Sequence, residues 1–224
     1  VKQGEYSEGD GTTTTVAGNI GMPLTDAGFM NVSFQVKQAD DTSRSVQRPD
    51  AQALINAGNT AVTDPAQIWG APIIDDDVTF FFNSGLDLGN GAEAYMFGNY
   101  SERDVDGGFY YRNPDSRGGV FTNGDGNRLI ADVTGDMSGN CPTDVDPSDY
   151  ALRDAIMANP NCYIHNEQAP GGYTPRFTGN ITDTSFTAGT RGEITGGNMD
   201  GVRYDISGSV GRNEADFGLN NTFN

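Results

Sequence analysis

Residues 78–104 read VTFFFNSGLDLGNGAEAYMFGNYSERD, and this stretch decides the fold. Before its glycine-rich centre, Val78, Phe80, Phe82, Ser84 and Leu86 occupy alternate positions. After it, Ala92, Ala94, Met96, Gly98 and Tyr100 do the same. The positions between are mostly polar (Thr79, Asn83, Glu93, Asn99, Ser101 and Arg103), with aromatics at Phe81, Tyr95 and Phe97. A period of two places one set on each face of a strand, so the pattern predicts a sheet with one apolar and one wet face. Asp87-Leu88-Gly89-Asn90-Gly91 supplies the Gly and Asn that positive φ angles require, and the whole stretch reads as an antiparallel hairpin.

The same pattern repeats on both sides. Residues 1–6 read as the end of a strand, followed by a tight turn at 7–11, SEGDG. Val16, Ile20 and Met22 alternate with Thr13, Thr15, Ala17 and Asn19, and a turn is expected at 23–28. Met30, Val32, Phe34 and Val36 then alternate with Asn31, Ser33, Gln35 and Lys37. Towards the end, Phe186, Ala188, Gly192 and Ile194 alternate with Ser185, Thr187, Arg191 and Glu193. Past a turn at 195–201, Val202, Tyr204, Ile206 and Val210 alternate with Arg203, Asp205, Ser207 and Ser209, and the pattern fades near Phe217. Two long polar insertions separate these hairpins, at 40–77 and 105–180. Each holds one expected helix: 50–57 in the first, and 149–158 behind Ser148 as its cap in the second.

Short turns and long insertions therefore alternate strictly, which puts all long loops at one end of the sheet. Strands of about ten singly alternating residues with that loop asymmetry are the signature of an outer-membrane barrel, with short periplasmic turns and long outer loops. The fold class read from the chain is all-β: antiparallel up-and-down hairpins of such a barrel, with long extracellular loops and short loop helices. Val1 falls inside what reads as a strand, so the chain reads as part of a longer one. No apolar run approaches the roughly 20 residues of a membrane-spanning helix. With 31 acidic against 13 basic side chains and a net charge of -18, nucleic acid is not an expected partner. Cys141 and Cys162, the only cysteines, lie among turn formers and are read as a disulfide in an oxidising compartment. Closing that loop contributes about 3 kcal/mol by constraining the unfolded chain.

These motifs resemble a known family. DLGNGAEAYMFGNYSERD (87–104), GGFYYRNPDSRGGVFTNGDG (107–126), GEITGGNMDGVRYDISGSVGRNE (192–214) and the upstream segment 8–45 are similar to TonB-dependent outer-membrane receptors. The resemblance covers the barrel part of that family across residues 1–224. It implies a barrel of about 22 strands, an N-terminal plug, and active uptake of a scarce nutrient such as a siderophore, a vitamin or an oligosaccharide. The implied partners are outer-membrane lipid, the remainder of barrel and plug, and the TonB complex. The implied location is the outer membrane of a Gram-negative bacterium, loops outside. Neither a plug nor a TonB box is found in these residues, and about seven strands do not close such a barrel.

The same residues give other chemistry little footing. Gly89-Asn90-Gly91-Ala92-Glu93-Ala94 fits the G-x-G-x-x-A dinucleotide fingerprint, but period-two residues follow where the fingerprint needs a helix. No G-x-S-x-G occurs, and His165 is the only histidine, so no enzyme activity is expected. Asp104, Asp106, Asp125, Asp144 and Asp146 offer hard oxygen ligands in flexible loops and are the candidates for a structural calcium, the one cofactor considered. Trp69, Phe109, Tyr110, Tyr111 and Tyr173 are the loop aromatics that would supply ligand-binding area. Arg191, Glu193, Arg203 and Asp205 read as structural charge pairs between strands on the lumen side. Two rival functions follow from the same pattern. One is self-association through open strand edges into an extracellular β-rich filament; the other is a secreted, calcium-stabilised adhesin.

Overall fold

The computed structural model describes residues 1–223. The chain divides into two compact units, one made of residues 1–43, 71–107 and 177–218 and the other of 44–70, 108–176 and 219–223.

The first unit is a single seven-stranded sheet. Its strands are β1 (Lys2–Gly4), β2 (Thr13–Thr25), β3 (Gly28–Ala39), β4 (Ile73–Gly89), β5 (Ala92–Gly108), β8 (Arg176–Glu193) and β9 (Arg203–Asn220). Neighbours in the sheet follow chain order throughout, and the ladders from β1 to β5 are antiparallel. The order is open: β1 and β9 are its two ends and do not pair with each other among the described residues.

Register carries the sequence alternation from strand to strand. Val16, Val36 and Val78 lie in one row, Phe34, Phe80 and Tyr100 in another, and Ile20, Val32 and Phe82 in a third. A one-residue slip would turn each row over to the other face, so the alternation itself selects this register. Two aromatic rings lie over cross-strand glycines within the rows. A Cβ on Gly18 would meet Phe34 at 2.6 Å, and one on Gly98 would meet Phe82 at 2.9 Å and the Ser185 carbonyl at 2.7 Å.

The expected hairpin at 87–91 is present. Asn90 and Gly91 form its turn with φ of 54° and 76°, and Gly89 precedes them at 82°. Both central residues are left-handed, the geometry that suits the twist of paired strands. The dinucleotide fingerprint is thus a β-turn leading into β5. The turn expected at 23–28 is tighter than its sequence suggests, because Pro23 to Thr25 stay in β2 across a bulge and only Asp26 and Ala27 turn the chain. Strands also outrun their alternation. β4 and β5 are 17 residues each and β8 and β9 18. Backbone ladders need no apolar face, so pairing continues into polar ends such as Asp75 to Asp77.

The second unit has its own core. β6 (Ile130–Asp132) pairs with β7 (Cys162–Ile164), and α2 (Tyr150–Met157) packs against β7. Val145, Ile156, Cys162 and Ile164 are buried together, with Ile130 and Cys141 against them. The Cys141–Cys162 disulfide is formed, as expected. A second cluster joins Ala51 of α1 (Pro49–Asn56), Ala66 and Tyr111, with Val62 alongside. The cap of α2 is Asp149, whose carboxylate accepts from Leu152 N at 2.9 Å, and not Ser148. Ser148 is already held by Asp146, which takes both its N–H and its hydroxyl, so the chain enters the helix one residue later. No helix among the described residues is long and apolar enough to cross a membrane.

Burial is divided unequally. Every buried hydrophobic residue, from Ala51 to Ala169, belongs to the second unit. In the sheet, Ile20 is 57% exposed, and Ile206 and Val210 are each 68% exposed.

Candidate functional site

The two faces of the sheet differ in what their side chains do. On the odd-numbered face, Asn99 donates to Asp183 at 2.8 Å and accepts from the Ser185 hydroxyl. Asn213 donates to the other oxygen of Asp183 at 3.2 Å. Tyr95 donates to Asp205 at 2.6 Å, Arg191 pairs with Glu93 at 2.9 Å, and Arg203 lies 3.5 Å from Glu193. The four charged residues read as structural pairs therefore each find a partner here. Asp77, 3% exposed, is held by Arg103 at 2.7 Å. The even-numbered face carries the valine, isoleucine and aromatic rows, which give way at β5 and β8 to a smaller network: Tyr100 donates to Glu102, and Asn180 donates to Glu102 at 3.2 Å and to Asp104 at 2.7 Å.

The second unit contains a cavity of about 760 Å³ between α1 and α2. Asp50 and Leu54 of α1, Tyr150 and Arg153 of α2, Asp115 and Asn166 line it. Arg128 is the anchor beneath. Its side chain is fully buried and donates to Asp115 at 2.9 Å, to Asn166 at 3.1 Å and to the Pro147 carbonyl. Asp115 also faces Arg153 at 3.5 Å, and Arg153 bridges onward to Asp154 at 2.8 Å. Arg48 holds Asp50 at 3.0 Å. Burial works to raise the Asp50 carboxyl, but the hydrogen bond and charge of Arg48, with backbone N–H groups, outweigh it and hold it below its ordinary value. Tyr111 sits behind this wall, donating to the Gly171 carbonyl at 2.5 Å. Burial, joined by the charges of Asp50 and Asp115, pushes its hydroxyl up to about 12, so it stays a hydrogen-bond donor.

The aromatics named from the sequence separate into three settings. Trp69 and Tyr110 meet edge-on at 5.3 Å and are 50% and 54% exposed; Phe109 meets Tyr110 at 5.3 Å under the Arg112 guanidinium. These three form one surface group. Tyr111 is core. Tyr173 belongs to a ring cluster with Phe121, His165 and Phe223. None of the five lines the cavity.

The calcium candidates are dispersed. Asp104 and Asp106 lie in β5, where Asp104 accepts from Asn180 at 2.7 Å. Asp125 sits in a turn that Asn123 closes on itself, Asp144 faces Asn127 at 3.4 Å, and Asp146 is taken up by Ser148. Among the described residues no three His, Cys, Asp or Glu come together as a metal-binding group.

Asp115, Tyr150, Arg153 and Asn166 were missed because no spacing links them; helix α2 and distant turns bring them together. One signal was available. In a chain with 13 basic and 31 acidic residues, each loop arginine is a scarce cation and marks an ion pair. No family model matches the chain, and neither a curated protein nor a solved structure matches it.

Proposed function

We propose that the chain forms part of the wall and the outer loops of a TonB-dependent outer-membrane receptor, a protein that takes up a scarce nutrient. One observation carries this reading. The sheet buries no hydrophobic side chain among the described residues, yet it lays apolar rows along one face from β2 to β4. A sheet in water covers such a face with another layer. Lipid covers it in a barrel, where apolar-out and polar-in alternate along each strand. Val78 to Leu86 supplies about nine residues of that band, the length a tilted membrane-crossing strand needs.

Loop asymmetry supports the same reading. The two-residue turns at Asp26-Ala27 and Asn90-Gly91 share one end of the sheet with 194–202, and the connections 40–72 and 109–175 share the other. In a receptor the long connections are extracellular and the disulfide lies in an oxidising compartment. The polar network from Asn99 to Asn213 then faces the lumen. Further strands close the barrel at the β1 and β9 edges, and a plug couples it to the TonB complex.

Detergent-phase partitioning with intact mass tests the reading. The chain is expected in the detergent phase, and Phe80→Arg is expected to weaken insertion by about 2–4 kcal/mol. Recovery from the aqueous phase as large particles of a 23.8 kDa chain would overturn it. That outcome would instead favour the filament, in which β9, an 18-residue strand at the end of the sheet, pairs with a second copy.

A further inference from the structure

We propose that the cavity between α1 and α2 binds a neutral, polyhydroxylated ligand: a short oligosaccharide segment. All of its lining belongs to the second unit, so the site does not depend on the sheet lying in a membrane.

Size comes first. At about 760 Å³ the cavity falls within the range of small-molecule sites, roughly 300–1,000 Å³.

Charge narrows the ligand. Asp50, Asp115 and Asp154 are compensated by Arg48, Arg128 and Arg153, one cation for each carboxylate. Neither an anion nor a cation finds an uncompensated countercharge, and the -18 net charge disfavours anions further. An uncharged ligand loses nothing on either count.

Hydrogen-bonding capacity points to hydroxyl groups. An ionised carboxylate has about four acceptor sites, and one or two arginine contacts leave some of them for other donors. The Asp115 side chain is only 8% exposed and its unpaired Oδ2 is closed to the cavity, so the carboxylates open to a hydroxyl are Asp50 and Asp154, 36% and 64% exposed. Vicinal hydroxyls are donors and acceptors at once, and suit a wall on which carboxylates alternate with arginine and asparagine amides.

The apolar part of the wall fits the ring of a sugar. Tyr150 is 50% exposed and the Arg153 guanidinium lies 5.1 Å from its ring centre, which holds the ring in place. Leu54 and Met157 add apolar surface beside it. A ring with a polar tip and an apolar body is the kind of surface on which the C–H face of a pyranose rests.

The test is calorimetric titration of the whole chain in detergent with three neutral trisaccharides, maltotriose, cellotriose and xylotriose, and with anionic trigalacturonate. At least one neutral probe is expected to saturate a single site, with trigalacturonate weaker by ~tenfold or more. Tyr150→Ala is expected to lose ~tenfold, and Leu54→Trp, which fills the cavity, to abolish binding. Near-UV circular dichroism identifies folded variants, and either one suffices. The proposal is overturned if no neutral probe saturates by about 10 mM, if trigalacturonate binds best, or if folded Leu54→Trp binds as the parent does. Partitioning of the same samples reports on the sheet separately. A chain that enters detergent but binds no sugar sinks the cavity alone, and one that binds sugar from the aqueous phase sinks the membrane reading alone.

Discussion

At the scale of single residues, the stakes lie where a charge is buried against one partner. Asp77 is 3% exposed and its carboxylate depends on Arg103, which is itself half exposed. Arg103→Met keeps the stem and removes the guanidinium, leaving a desolvated carboxylate; the expected cost is about 1–3 kcal/mol in a denaturant titration. Asp132 is the opposite case, partly exposed and well supplied with donors. The Thr134 hydroxyl and N–H, with the Gly139 N–H at 2.8 Å, hold its carboxyl below the ordinary 3.8, against smaller opposing effects of burial and of Asp136. A depressed folded value stabilises the native state above the unfolded value, and that contribution is lost as pH falls through the folded one. Asp132→Asn is therefore expected to flatten the fall of the loop unit's urea midpoint below about pH 4. An unchanged acid slope would mean that other carboxylates dominate it.

At the scale of elements, close approach and covalent closure do the fixing. Gly98 sits where β5 meets the Ser185 carbonyl on one side and the Phe82 ring on the other. Gly98→Val would push into backbone at 2.7 Å, and a loss of about 1–3 kcal/mol is expected. If stability is unchanged, the ring alone moves and the strand spacing is looser than described. In the second unit, Cys141 and Cys162 close a loop with a separation of 21 residues. Replacing both by serine is expected to lower the stability of that unit by about 3 kcal/mol. Near-UV signals of Tyr163 and Tyr150 read it directly. The same elements show what the chain concealed. β6 and β7 are three residues each, too short for a periodic signal, and they turn what reads as a polar insertion into a folded body.

At the scale of the whole molecule, two units draw their stability from different sources. The second has a core, a buried arginine and a disulfide. The sheet has ladders, a polar network and an apolar face that water does not favour. Reductant is expected to shift the unfolding of the loop unit alone, and dilution of detergent that of the sheet alone. Two separable transitions by circular dichroism would show this; one cooperative transition responding to both would sink it.

Alternation determined the central part of the long strands and their antiparallel order, because a period of two is a local property that each strand carries in its own residues, whereas their polar ends are set by the ladders. The turn at Asn90-Gly91 was legible for the same reason: positive φ narrows the choice of residue on the spot. The disulfide was legible because only two cysteines exist to pair. The cavity was not legible. Asp115, Arg128, Tyr150, Arg153 and Asn166 come together through ion pairs and hydrogen bonds between positions up to 38 residues apart. Those contacts depend on where Ile130, Ile156 and Ile164 pack, which no window of sequence contains. Local geometry is written in neighbouring residues, whereas a site assembled from distant ones exists only once the core has closed.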